Sequence, residues 1–151
     1  MNRLPARAAG LGSAALAIAV GACVATVPPA TAHATPTIGL TAVTLSKQTV
    51  GGKDYIVSEV TIAPGGSTGW HTHQGEIYGV IKSGVLTHYE SDCREDGTYS
   101  PGSAITDPTG PDHVHLGRNQ GTTPVVLDVT YIDPAGAPTA DSAPNPGCDF
   151  A

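Results

Sequence analysis

Charged residues are scarce in this chain: they make up 13% of its 151 residues, against about 25% in an average soluble protein. Methionine occurs only once, at the start, and phenylalanine and tryptophan also occur once each. Long amphipathic helices need many Leu, Glu, Lys and Arg residues, which this composition does not supply. A helix bundle and a coiled coil are therefore not expected.

The few charges are mainly negative, with a formal net charge of -6. Such a chain repels phosphate backbones, so no nucleic-acid partner is expected. The 19 glycines and 13 prolines predict frequent turns. The length is that of one domain.

Residues 1–34 have the organisation of a secretory signal peptide. Basic residues come first, an uncharged apolar run extends from Leu11 to Val27, and small residues follow. Cleavage is expected after Ala32 or Ala34, which predicts a secreted protein. The apolar run is shorter than the roughly 20 residues that span a bilayer, so no membrane span is expected. As an alternative, Cys23 follows a segment that resembles a bacterial lipobox, and its lipidation would anchor the protein.

Two cysteines remain after this segment, Cys93 and Cys148. Export favours a disulfide between them, which would tie the Pro-rich tail, residues 134–151, to the loop after residues 85–90. A closed loop of about 55 residues contributes roughly 4 kcal/mol in the chain-entropy model. The alternative is a pair of free thiols.

Residues 35–133 consist of short β-rich runs separated by turn signals such as Pro64-Gly65-Gly66 and Ser83-Gly84. Within Tyr55–Ala63, apolar residues occur on both faces, as in a strand that is covered on both sides. Seven to nine strands without a helical stretch predict an all-β sandwich or barrel. The tail from Pro134 is predicted to be coil.

Four of the six histidines form two pairs, His71-Thr72-His73 and His113-Val114-His115. Residues i and i+2 of a strand point to the same face, so each pair can direct two imidazoles to one point. Two such strands that face each other would form a site for a divalent ion of Zn, Fe, Mn, Ni or Cu.

These pairs and the turns around them resemble the two sequence motifs of the cupin superfamily. In the first motif, a Gly is followed after five residues by His-x-His, as Gly65 is by His71 and His73. In the second, a Gly is followed after five residues by Pro-x-Gly and then His, as Gly102 is by Pro108. The resemblance covers about residues 55–132 and implies a jelly-roll barrel, the double-stranded β-helix, with a metal inside.

The chain departs from the first motif at the carboxylate. In the family, three or four residues separate the second His from a Glu, but only two residues separate His73 from Glu76. Counted back from Gly84, the Glu position holds Ile77. One residue of offset moves a side chain to the other face of a strand, so Glu76 shares the face of the water-facing Lys82. Glu76 is a metal ligand only if a bulge intervenes.

The second motif contains two residues too many. Counting from Pro108-Thr109-Gly110 selects His113 as the ligand, whereas counting back from Asn119 selects His115. The expected ligand set is therefore His71 and His73 with one or both of the other two. His88, in phase with Leu86, is expected at the surface or beside a ligand.

Three or four neutral imidazoles can hold a divalent metal with open positions for a small molecule or dioxygen. The resemblance thus implies either a metal-dependent oxygenase or isomerase, or a non-catalytic extracellular cupin that binds a metal or small ligand. Cupins often pair, so a homodimer is a further expectation. The fold alone does not specify the substrate.

Overall fold

The structure is a computed structural model that describes residues 34–150. The predicted cleavage site after Ala32 and the alternative lipidation site at Cys23 lie outside the described residues. Within the described part of the chain, no helix has the length and apolar character needed to cross a bilayer.

The described residues contain ten strands, which pair in antiparallel fashion, so the prediction of an all-β fold is confirmed. They are β1 (Ile38–Val50), β2 (Lys53–Ser67), β3 (His71–Thr72), β4 (Glu76–Ser83), β5 (Leu86–Glu90), β6 (Glu95–Tyr99), β7 (Ala104–Ile105), β8 (His115–Arg118), β9 (Val125–Pro134) and β10 (Asp141–Ser142).

The strands form a nearly closed barrel with the order β10-β3-β8-β2-β9-β4-β7, in which β1 pairs with β2, and β5 pairs with β6 and β8. The long strand β2 connects two sides of the barrel. It pairs with β9 from Lys53 to Ile62 and with β8 at Ser67. The strand β2 thus links β9 to β8, which in turn pairs with β3 at His71 and His115.

The main core follows from strand alternation. In β4, Ile77, Gly79 and Ile81 face inward, whereas Glu76 and Tyr78 are exposed. The inward residues pack against those of β2 and β9, two of which are Ile62 and Leu127. The buried cluster consists of Val60, Ile62, Ile77, Ile81, Leu86, Ile105, Val125, Leu127 and Val129.

The tail is not coil throughout, contrary to the prediction. Its residues Asp141 and Ser142 form β10, which pairs with β3. Ala143 and Cys148 of the tail pack with Trp70, Tyr89 and Leu116 in a second cluster, which we call the tail core. No periodic pattern in the sequence indicates this pairing, because the paired segment is only two residues long.

Cys93 and Cys148 form a disulfide, the pairing expected from the sequence. Their separation of 55 residues means that the bond closes a long loop. Cys93 has a φ of 68°, an uncommon value for a residue other than glycine. The bond fixes the end of the tail to the turn between β5 and β6.

Replacing both Cys93 and Cys148 with serine is expected to lower the free energy of unfolding by about 2–4 kcal/mol, because the unfolded chain regains the entropy of an open loop. Urea denaturation of the non-reduced proteins measures the difference. Wild-type protein unfolded with a reductant should show the midpoint of the double variant. Equal midpoints for the variant and the oxidised wild type would contradict the expectation.

Candidate metal centre

The two histidine pairs contribute three imidazoles to one cluster. His71 of β3 lies directly opposite His115 of β8 in the ladder, and their ring centroids are 4.2 Å apart. The ring of His73 is 4.9 Å from that of His71 and 5.1 Å from that of His115. One nitrogen of each ring lies within 4.8 Å of a nitrogen of both others. A single ion can therefore contact all three.

Each of the three rings is oriented by a hydrogen bond to the backbone. The Nδ1–H groups donate to the carbonyl oxygens of Gly69 (from His71, 3.0 Å), Thr139 (from His73, 2.7 Å) and His113 (from His115, 3.1 Å). A carbonyl accepts but cannot donate, so the proton is on Nδ1 and the lone pair is on Nε2. This is the tautomer that metal-binding histidines adopt, held by the kind of partner that usually accompanies them.

The three imidazoles are neutral at physiological pH. Burial lowers the pKa of His71 to about 4, and the neighbouring His73 adds to the shift. Burial also lowers the pKa of His115 to about 3 and that of His73 below its ordinary value. Because neutral imidazole is the form that binds metal, protons do not compete for these ligands near pH 7.

The cluster opens into a cavity of about 260 Å³ inside the barrel. Its walls are mainly aliphatic, with Ile77, Leu127 and Val129 among them. Tyr131 also lines the cavity, with its ring 6.1 Å from that of His73. Burial raises the pKa of this phenol to about 12, so it stays protonated. The volume suits a small organic molecule.

His113 is not a member of the three-imidazole cluster. Its side chain is 17% exposed, and its Nδ1 lies 3.6 Å from a carboxylate oxygen of Glu90. It precedes β8 and contributes its backbone carbonyl to His115. Counting back from Asn119 therefore selects the residue that joins the cluster. The buried amide of Asn119 donates to the carbonyl oxygens of Ile62 and Thr123 and so anchors the end of β8.

Two further residues lie at the cluster that the sequence did not select as ligands. His88 is 3% exposed, and its Nδ1 is 2.6 Å from Oδ1 of Asp96. Asp107 lies between His88 and His115, with its oxygens 3.3 and 3.5 Å from their Nε2 atoms. Burial alone raises the pKa of Asp107, but the two imidazoles lower it to about 2. Strand alternation could not indicate Asp107, because β7 ends at Ile105.

Comparison with known proteins identifies the family. The Cupin_2 family model, a cupin domain, matches residues 58–131, which contain both histidine pairs. The chain therefore contains a cupin domain. No match to a curated protein is found.

Several solved structures share this fold. The polyketide cyclase RemF from Streptomyces resistomycificus is 22% identical, with a TM-score of 0.58 over 74% of this chain and 79% of its own. The Cupin_2 domain of an XRE family transcriptional regulator from Enterobacter cloacae is 21% identical, with a TM-score of 0.52 over 64% and 98%. A cupin-2 domain protein from Rhodospirillum rubrum is 15% identical, with a TM-score of 0.56 over 70% and 66%. At these identities the likeness confirms the fold alone.

The carboxylate expected of a cupin does not reach the cluster through Glu76. This residue is exposed on the outer face of β4, whereas Ile77 faces the cavity. The only register shift between β4 and β9 lies between Ile81 and Ser83, so it does not change the direction of Glu76. Strand alternation thus places an aliphatic side chain where the family motif has a ligand.

The donor set of this cupin nevertheless fits a divalent transition metal. Nε2 of His115 is buried without a hydrogen-bond partner, which is costly unless a cation or another group occupies the space in front of it. The Nε2 atoms of His71 and His73 also carry lone pairs, because in each ring the proton is on Nδ1, which donates to a backbone carbonyl. Three imidazole nitrogens are a ligand set that suits Zn, Cu, Fe and Ni.

The tail contributes to the centre in a way that no side-chain pattern could indicate. The carbonyl oxygen of Thr139 accepts the hydrogen bond from His73, and Thr139, Ala140 and Ser142 line the cavity. The segment is held in place by β10 and by the disulfide at Cys148. A backbone group acts here, so residue type carries no signal.

Metal retention is expected to be nearly constant from pH 7 to about pH 5 and to be lost below about pH 4. The pKa values of His71 and His115, about 4 and about 3, mean that protons displace the metal only near those values. Equilibrium dialysis against a fixed Zn²⁺ concentration measures the profile. Half-release near pH 6.5, the ordinary value for imidazole, would contradict the burial of these rings.

Proposed function

We propose that this cupin is a secreted metalloprotein that binds one divalent transition metal through His71, His73 and His115, and acts on a small molecule in its cavity as an oxygenase or isomerase. The observation that supports this most directly is the orientation of the three rings. Each donates Nδ1–H to a carbonyl, which leaves Nε2 free beside a cavity of about 260 Å³. Three protein ligands leave coordination positions open for a substrate.

A bound metal would supply Lewis-acid activation of a carbonyl or enediolate, or a position for dioxygen. The residues of the chain supply the rest of the site. The aliphatic walls formed by Ile77, Leu127 and Val129 exclude water and favour an apolar substrate. The protonated hydroxyl of Tyr131 offers one hydrogen-bond donor near His73.

The proposal of secretion is supported by the disulfide between Cys93 and Cys148. Structural disulfides are typical of oxidising compartments and rare in the cytosol. The signal-like residues 1–34 are consistent with export. N-terminal sequencing of the protein collected from the culture medium would test it: a start at His33 or Thr35 is expected, and an intact or lipidated N-terminus would contradict it.

A non-catalytic role is the second candidate, and one observation favours it. Ile77 replaces the carboxylate of the family motif, so the cavity lacks an acid or base at that position. In this case the protein binds a metal and an apolar ligand outside the cell without converting the ligand. The two candidates share the metal centre and differ in turnover.

The test of the proposed function uses tag-free protein that is loaded with Fe²⁺, Mn²⁺, Ni²⁺, Cu²⁺ or Zn²⁺ in turn. Elemental analysis is expected to show one ion per chain, and the His71→Ala/His73→Ala variant should bind the same metal at least about a hundredfold more weakly. Dioxygen uptake and product analysis with phenols and diketones then test turnover. Metal binding without turnover supports the second candidate, and a wild type that binds no metal contradicts both.

A further inference from the structure

Asp107 directs its two carboxylate oxygens at Nε2 of His88 and at Nε2 of His115. Nδ1 of His88 is 2.6 Å from Oδ1 of Asp96 and donates its proton there, so in neutral His88 the lone pair is on Nε2. Nδ1–H of His115 donates to a carbonyl in the same way. The two Nε2 atoms lie 3.3 and 3.5 Å from the oxygens of Asp107. When His88 is neutral, acceptors therefore face acceptors across both gaps; burial disfavours its charged form, but the carboxylates of Asp107 and Asp96 raise its pKa overall.

This arrangement is buried and unsatisfied. His88 is 3% exposed and His115 is 1% exposed, and the Nε2 atom of neither has a hydrogen-bond partner. A buried acceptor that faces a carboxylate is unfavourable unless a cation lies between the two. A proton on Nε2 of His88 satisfies one gap only, because the gap between Asp107 and His115 stays open.

The separations match those between ligands of one metal ion. Ligands that lie about 2.1 Å from a tetrahedral ion are about 3.4 Å from each other. The 3.3 Å from Oδ1 of Asp107 to Nε2 of His88 and the 3.5 Å from its Oδ2 to Nε2 of His115 fall on either side of that value, so an ion there would face both oxygens of the carboxylate. One ligand atom from each of His88, Asp107 and His115 lies within 4.8 Å of the others. Two imidazoles and a carboxylate are a common ligand set for zinc and iron.

We propose that His88, Asp107 and His115 form a second metal position, which overlaps the three-histidine centre at His115. Nε2 of His115 can bind only one ion at a time, since its Nδ1 is used by the backbone. The two positions therefore exclude each other. The single ion of each chain binds either to the three neutral histidines or to the set that includes the negatively charged Asp107. The cupin motifs do not include His88 or Asp107.

The second metal position rests on the proposed function only in that it shares His115 with the three-histidine centre, so the two positions can be tested separately. Co²⁺ is titrated, with absorbance and calorimetric detection, into wild type, His71→Ala/His73→Ala, and the same double variant that also carries Asp107→Asn. Wild type is expected to bind one ion. The double variant should bind one ion at least about a hundredfold more weakly, and the triple variant should lose at least about a further tenfold. Asp128→Asn, at an exposed carboxylate, is the matched control in the double background and should change nothing.

Each outcome separates the two proposals. Equal binding by the double and triple variants would overturn the second position and leave the three-histidine centre intact. Binding by the double variant as tight as that of wild type would support the second position and overturn the three-histidine centre. Two ions per wild-type chain would overturn the mutual exclusion. His88→Ala, added to the double variant in place of Asp107→Asn, tests the second position independently. Circular dichroism of each protein shows whether it is folded.

Discussion

Replacing His115 with alanine is expected to lower the affinity for Zn²⁺ or Co²⁺ by more than any other single substitution, by at least about a thousandfold. Loss of a group that only supports a ligand lowers metal affinity by roughly 10–100-fold. Loss of the ligand itself lowers the affinity further. His115 belongs to two of the three groups of possible ligands in the described residues, together with His71 and His73 in one and with His88 and Asp107 in the other. Its removal therefore leaves two ligands in either position. Isothermal titration of metal-free protein measures the loss.

The matched control is His113→Ala, which removes the neighbouring imidazole of the same sequence pair. The carbonyl of residue 113, which accepts the hydrogen bond from His115, is retained in the variant. Affinity is expected to stay within about fivefold of the wild type. If His113→Ala weakens binding as much as His115→Ala does, the structure has assigned the second motif to the wrong histidine.

Truncating Trp70 to alanine is expected to lower the free energy of unfolding by about 3–5 kcal/mol, the largest effect of a single core substitution. The side chain is 0% exposed and lies in the tail core with Tyr89, Leu116 and Cys148. Its loss leaves a cavity that the disulfide and the short strands prevent from closing. Urea denaturation at constant pH measures the change.

Tyr78→Ala is the control for this experiment, since Tyr78 is a large aromatic residue that is 55% exposed on β4. Its truncation is expected to change the free energy of unfolding by less than about 0.5–1 kcal/mol. A Trp70 variant that is no less stable than the Tyr78 variant would mean that the tail does not pack on the barrel as described.

Strand alternation correctly predicted the directions of Glu76 and Ile77, because β4 is regular and one residue of offset reverses the face. It could not decide between His113 and His115. The rule that places i and i+2 on one face holds within a strand, and β8 begins only at His115. Where the strand begins depends on the pairing with β5 and on Asn119, neither of which is local to the pair.

Other parts of the site depend on contacts that the sequence does not display. The strand β6, Glu95–Tyr99, is polar, and it forms because β5 offers it a partner. Asp96 on this strand then orients His88 toward the cavity. The carbonyl of Thr139 acts through the backbone, so any residue could provide it. Long-range pairing, rather than residue type, decides these positions.

The proposed metal centre requires imidazoles from both halves of the barrel to meet at one ion, and anomalous diffraction from a Zn²⁺-loaded crystal tests this directly. We predict a peak inside the cavity at about 2.0–2.1 Å from Nε2 of His71, His73 and His115, with any second peak beside Asp107. A peak bound to His113 or Glu76, or a cavity without a peak at one equivalent of Zn²⁺, would contradict this arrangement.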